Sequence, residues 1–192
     1  MSGPHPARCR RSAVVTSLVV LAVVVAMAVG PTLGWSSSAG ASGRATTAPS
    51  PVTDWVTFYG YVDNSPPGTA IAHPCIHPAA GGVGTYADPV TFAERIDMHG
   101  PWCQIIYVPS LEKYFIHEDQ CDPCGGVKLN HVDLWMGGDA GSKTAPEKRA
   151  LLDCEDTWTD HETVILDPPS TEPVDTTPLF SPPTTCHGGA GD

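Results

Sequence analysis

Between Trp55 and Leu166 no run of β-branched and aromatic residues exceeds eight positions, and turn residues punctuate the runs. The runs are Trp55–Val62, Val90–Ala93, Gln104–Val108 (ended by Pro109), Lys113–Asp119, His131–Met136 (held between Asn130 and Gly137) and Thr163–Leu166. Such side chains suit a pleated, half-buried surface, so each run reads as a strand. Ala145–Leu152, opened by Pro146 and Glu147, carries the start signals of a helix, but a short one. With 20 prolines and 19 glycines in 192 residues, a long helical bundle or coiled coil is excluded. Many short strands joined by Gly/Pro turns favour a small closed β-barrel over a parallel sheet, which places the chain in the all-β class.

The ends of the chain read differently. Arg8, Arg10 and Arg11 precede an apolar run from Ala13 to Val29, followed by small residues through Ala39-Gly40-Ala41. That order is a secretory signal, expected over residues 1–41; an uncleaved membrane anchor is the alternative. Residues 42–53, rich in Ala, Ser, Thr and Pro, read as a disordered leader, and 54–167 as the barrel domain. Residues 168–192 read as a Pro/Thr/Gly-rich tail with too little apolar surface to order itself, although Cys186 could tie it down.

Removing the signal takes away three arginines and no acid, moving the formal charge from −11 to −14. An acidic surface repels phosphate backbones, so no nucleic-acid partner is expected. The expectation is a secreted monomer, extracellular or wall-associated, with no stable membrane insertion after cleavage.

Six cysteines follow the signal: Cys75, Cys103, Cys121, Cys124, Cys154 and Cys186. An even number in an exported chain reads as disulfides, with connectivity left open. Cys121-Asp122-Pro123-Cys124 could instead be half of a zinc site or a redox pair. Zinc would need a second ligand pair, and none is evident; a redox pair lacks its usual βαβ context. His73-Pro74-Cys75-Ile76-His77 with Asp63, or His117 and His131 beside Asp119 and Asp133, are alternative metal donors. A loop histidine is the ordinary explanation, and no metal or cofactor is expected. The glycine turns Ala80–Thr85 and Cys124–Lys128 are not followed by helices, so a phosphate-cradling role is rejected.

The acids that could carry chemistry are Asp88 before Pro89, Asp119 at the end of a strand, and Asp133 inside His131-Val132-Asp133-Leu134-Trp135. Period-2 alternation puts Asp133 on one face with His131 and Trp135. An acid wall of this kind can raise one pKa for general-acid work. A solvent-facing strand, or an Asp bonded to loop amides, is the structural alternative.

Four segments in order carry a resemblance: Gly84-Thr85-Tyr86-Ala87-Asp88-Pro89-Val90-Thr91-Phe92-Ala93, Ile106-Tyr107-Val108-Pro109, Lys113-Tyr114-Phe115-Ile116-His117-Glu118-Asp119 and His131-Val132-Asp133-Leu134-Trp135. Over about residues 55–160 the chain resembles the double-psi β-barrels of rare lipoprotein A, expansins, family 45 endoglucanases and three-aspartate wall-lytic domains. The resemblance implies a six-stranded double-psi β-barrel with one or two short helices and disulfides. It implies glycosidic cleavage with Asp119 as the acid and Asp88 and Asp133 as base, orienting or pKa-tuning groups. Asp63 lies near where the endoglucanases carry their base. Tyr59, Tyr86 and Trp135 would stack on sugar faces, with His117 and His131 beside the substrate. The implied partner is a cell-wall polysaccharide, peptidoglycan first and β-glucan second. The rival expectation is an expansin-like protein that binds or loosens the wall without cutting it. Neither the second domain of the expansins nor the peptidoglycan-binding repeat of many rare lipoprotein A proteins has a counterpart in the sequence.

Overall fold

The computed structural model describes residues 48–96, 98–125 and 130–187. The expected export segment 1–41 lies outside them, as do the first part of the expected leader, Gly126–Lys128 of the second glycine turn, and the last five residues. The strands are β1 (Ser50–Gly60), β2 (Val90–Glu94), β3 (Ile105–Val108), β4 (Lys113–Gln120), β5 (His131–Gly137) and β6 (Asp160–Leu166). A helix, α1 (Ala145–Trp158), precedes β6, and a short hairpin of β7 (Phe180–Ser181) and β8 (Thr185–Cys186) follows it. The first six strands close into a barrel in the order β1-β5-β2-β4-β3-β6. The expected all-β class and six-stranded barrel therefore hold.

β1 runs parallel to β5, and β2 parallel to β4; the other barrel pairs are antiparallel. Closure leaves no free edge along the barrel. Alternation along each strand sorts the side chains: Val56, Phe58, Phe92, Val132 and Leu134 are buried together in the apolar core. Phe92 pairs with Leu134, while the next position over pairs Ala93 with Asp133 on the opposite face. That second face, shared by Thr57, Tyr59, Asp133 and Trp135, carries the acids.

Two boundaries differ from the sequence expectation. β1 begins at Ser50, inside the expected leader, because Ser50–Thr53 pair with Thr163–Leu166 of β6. Backbone pairing orders a stretch whose composition looked disordered. The tail also folds onto the barrel as far as residue 187. Leu179 and Phe180 are buried, and the hydroxyls of Tyr107 and Tyr114 donate to the carbonyls of Pro173 and Pro169. Two apolar side chains and a set of backbone carbonyls suffice because the barrel supplies the partners.

The helix runs six residues past Leu152. Leu151, Cys154 and Glu155 form its buried stripe against β1, at the spacing of a helix face. Gly60 makes that approach possible: a Cβ there would stand 2.8 Å from Glu155 Oε1 and from Leu151 Cδ2.

Three disulfides staple the fold: Cys75–Cys103, Cys121–Cys124 and Cys154–Cys186. The first and third span 28 and 32 residues, long enough to restrict the unfolded chain by about 3–4 kcal/mol each on chain-entropy grounds. Cys121–Cys124 spans 3 residues and restricts little. Three bridges point to an extracellular or otherwise oxidising compartment. Among the described residues, no helix is long and apolar enough to cross a membrane.

One polar chain is buried inside the structure. His99 Nε2 lies 3.1 Å from Asp54 Oδ2 and its Nδ1 2.6 Å from Glu94 Oε2. Glu94 Oε1 in turn lies 3.3 Å from His117 Nδ1. Burial alone would drive His99 neutral, but the hydrogen bonds it donates to the two carboxylates, and their charges, outweigh burial and lift its pKa to about 9. His117 is the opposite case: burial dominates and lowers it.

Candidate functional site

The β2–β4 register slips at one point. Phe92 pairs with His117 and Ala93 with Asp119, so Glu118 falls in a bulge. A bulge re-aims side chains, and here two consecutive acids serve different neighbours. Asp119 turns to the face of Ala93 and Asp133; Glu118 turns to the loop before β2.

Asp119 is nearly buried and accepts three hydrogen bonds: from the Tyr59 hydroxyl at 3.0 Å, the Ala72 amide at 3.0 Å and the Gln120 amide at 2.9 Å. Burial, then the charge and hydrogen bond of Asp119, keeps the Tyr59 hydroxyl protonated far above its usual range. Tyr59 is thus a fixed donor to Asp119. Trp135 packs edge-on against it at 5.2 Å.

Asp133 pairs in register with Thr57, whose hydroxyl donates to Asp133 Oδ1 at 2.7 Å and stands 2.8 Å from His131 Nε2. Burial raises the Asp133 pKa most. The Thr57 hydrogen bond opposes it, the charges of Asp63 and Asp119 add to it, and the result is about 7. Near neutrality this carboxyl holds its proton part of the time, which is the condition for a general acid.

Two further acids complete the cluster. Asp63 accepts from the Gly60 amide at 2.7 Å. Glu155 reaches the cluster from α1, in hydrogen-bond contact with Asp63. Burial first, then the Asp63 charge, lifts its pKa to about 9. Glu155 is therefore a neutral acid at pH 7. Its position in Leu-Leu-Asp-Cys-Glu-Asp looks like a solvent-facing helix residue; the signal that locates it is Leu151, Cys154 and Glu155 at i, i+3 and i+4.

The other candidate residues lie elsewhere. Asp88 Oδ1 is 2.8 Å from His77 Nε2, and His77 Nδ1 is 2.7 Å from Glu118 Oε2. Glu118 Oε1 also accepts the consecutive amides of Cys75, Ile76 and His77. Burial works to raise Glu118, but these donors outweigh it and hold it low. Asp88 thus belongs to a clamp on the 72–77 loop. Tyr86 is 41% exposed, meets Tyr114 edge-on, and lines a cleft of about 550 Å³ with His99, Trp102 and Asp167. His117 is fully buried between the rings of Phe92 and Trp102. Tyr59 and Trp135 are 7% and 6% exposed.

The metal alternatives have other occupations. Both ring nitrogens of His77 face carboxylates, His73 stacks on Trp102 at 5.0 Å, and the sulfurs of Cys75 and Cys103 are joined. Cys121 and Cys124 lie with Asp133 in a second potential donor set, but they too are joined.

A closed β-barrel stapled by three disulfides, with a four-carboxyl cluster on one face, is the class that fold and site define. The chain belongs to the DDB_G0273701 N-terminal domain family, whose model matches residues 51–187. It is 38% identical over 138 residues to Uncharacterized protein DDB_G0273701/DDB_G0273221 of Dictyostelium discoideum, covering 68% of this chain and 57% of that protein. The chain therefore spans less than two thirds of that relative's length. No solved structure matches.

Proposed function

We propose that this is a secreted protein acting on cell-wall polysaccharide, and that it cleaves glycosidic bonds in the manner of a muramidase or lytic transglycosylase. The observation that carries the reading is the pairing of Asp133 and Asp119 with the same alanine, Ala93, from opposite sides of β2, with burial raising the Asp133 pKa. In this scheme Asp133 donates its proton to the leaving glycosidic oxygen. Asp119, oriented by Tyr59 and two backbone amides, activates water or steadies the developing positive charge on the sugar. The roles of the two aspartates are thereby exchanged from the sequence expectation, since it is Asp133 that burial and neighbouring charge keep protonated. Their backbones stand two strand spacings apart, about 10 Å, a separation compatible with a water molecule between the carboxyl groups. The similarity to rare lipoprotein A and expansin barrels supports a wall polymer as substrate, peptidoglycan before β-glucan. Asp63 acts at one remove, its charge adding to the raised pKa of Asp133, and the neutral Glu155 holds Asp63 from α1.

The test is release of reducing ends and soluble muropeptides from purified walls and from glucans. Asp133→Asn is expected to lower release by about 10²–10⁴-fold, the usual worth of a general acid. Equal release by wild type and Asp133→Asn would overturn the assignment. No release from any polymer, with the protein still pulled down by walls, would favour the expansin-like alternative.

A further inference from the structure

Cys121 and Cys124 close a loop too short to do much for stability, yet they are placed with care. Cys121 directly follows β4, and its amide donates to the Glu94 carbonyl at 3.0 Å. Cys124 lies in the 3₁₀ turn Asp122–Gly125, and its amide donates to Cys121 Sγ at 3.1 Å. A carboxylate oxygen of Asp133 lies within 4.8 Å of both sulfurs. Cys124 is fully buried, whereas Cys121 keeps 7% of its surface exposed. Thus the pair combines a Cys-X-X-Cys spacing, an amide aimed at the sulfur of the less buried cysteine and an acid beside both sulfurs.

We infer that Cys121–Cys124 is a redox-active disulfide that exchanges two electrons with an external dithiol, with Asp133 as its proton donor and acceptor. An external thiolate attacks Cys121 Sγ. The Cys121–Cys124 bond breaks, and Cys124 leaves as a thiolate that takes a proton from Asp133. The second external thiol then loses its proton to the Asp133 carboxylate and displaces Cys121 from the mixed disulfide. Cys121 leaves as a thiolate facing the Cys124 amide and takes up a proton from solvent. The external dithiol ends as a disulfide and the protein as a dithiol, two electrons and two protons having moved. The Cys-X-X-Cys spacing and the amide hydrogen at Cys121 Sγ favour the thiolate, and a nearby proton donor aids the leaving thiolate. The inference does not depend on any activity toward polysaccharide, because its chemistry is at sulfur.

The experiment is a time course of the full folded protein in dithiothreitol, quenched by alkylation, with each cysteine read by peptide mass spectrometry. Cys121 and Cys124 are expected to become alkylated at least tenfold faster than the four cysteines of the other two disulfides, while the fold persists by circular dichroism. In wild type the opening rate should also show an inflection near pH 7 that Asp133→Asn lacks. If all three disulfides open together, or Cys121–Cys124 opens only as the barrel unfolds, the inference is overturned. An unchanged pH profile in a folded Asp133→Asn protein would remove the role given to that residue.

Discussion

Asp119 and Asp133 are both register partners of Ala93, one on each side of β2. Ala93 is the one register position of β2 that lies between them. The charge of Asp119 accordingly contributes to the raised pKa of Asp133. Replacing Ala93 by valine, a bulkier side chain on the same face, should separate or tilt the two acids. A fall in glycan release without a comparable loss of stability, measured side by side, is the expected outcome.

Glu155 provides a stability test with a definite sign. Its folded pKa of about 9 stands above the usual 4.5. A raised acid stabilises the fold below its unfolded pKa, and that contribution is lost as pH rises through the folded value. Glu155→Gln removes the cost of keeping the group protonated, about 3 kcal/mol at pH 7. Urea unfolding from pH 5 to 9 should show the variant gaining on wild type as pH rises.

Gly60 is the position where α1 meets the acid cluster. A Cβ there would collide with Glu155 Oε1, with Leu151 Cδ2 and, at 2.9 Å, with the Gly137 carbonyl. Gly60→Ala should cost about 1–3 kcal/mol, the usual range for overpacking. Chemical denaturation is the measurement.

His99 holds two buried carboxylates at once. Its folded pKa of about 9 exceeds the usual 6.5, so its stabilisation is complete below pH 6.5 and disappears as pH rises through 9. His99→Ala leaves Asp54 and Glu94 buried without their cation and should cost about 3–5 kcal/mol. The loss should be largest below pH 6.5 and shrink above pH 9, as read by thermal melts across that span.

Much of the barrel was legible because alternation is local. Six runs of the right composition predicted six strands, and His131-Val132-Asp133-Leu134-Trp135 placed Asp133 on the face with Trp135. Other features depend on distant partners. Ser50–Thr53 look disordered until β6 pairs with them, and the tail looks too polar until Leu179 and Phe180 find the barrel. Asp88 beside Pro89 gave no hint that His77 would join it to Glu118. Glu155 lay among acids on a polar helix, and only the packing of α1 on Gly60 reveals it as buried. The cysteine count implied bridges, but their pairing depends on which strands close the barrel.

The account turns on Asp133 carrying a proton near neutral pH. Carbon-13 NMR of aspartate-labelled protein, with Asp133→Asn to assign the side-chain carboxyl signal, reads that proton directly. A midpoint near pH 7 is the expected result. Titration near pH 4, the ordinary aspartate value, would contradict it.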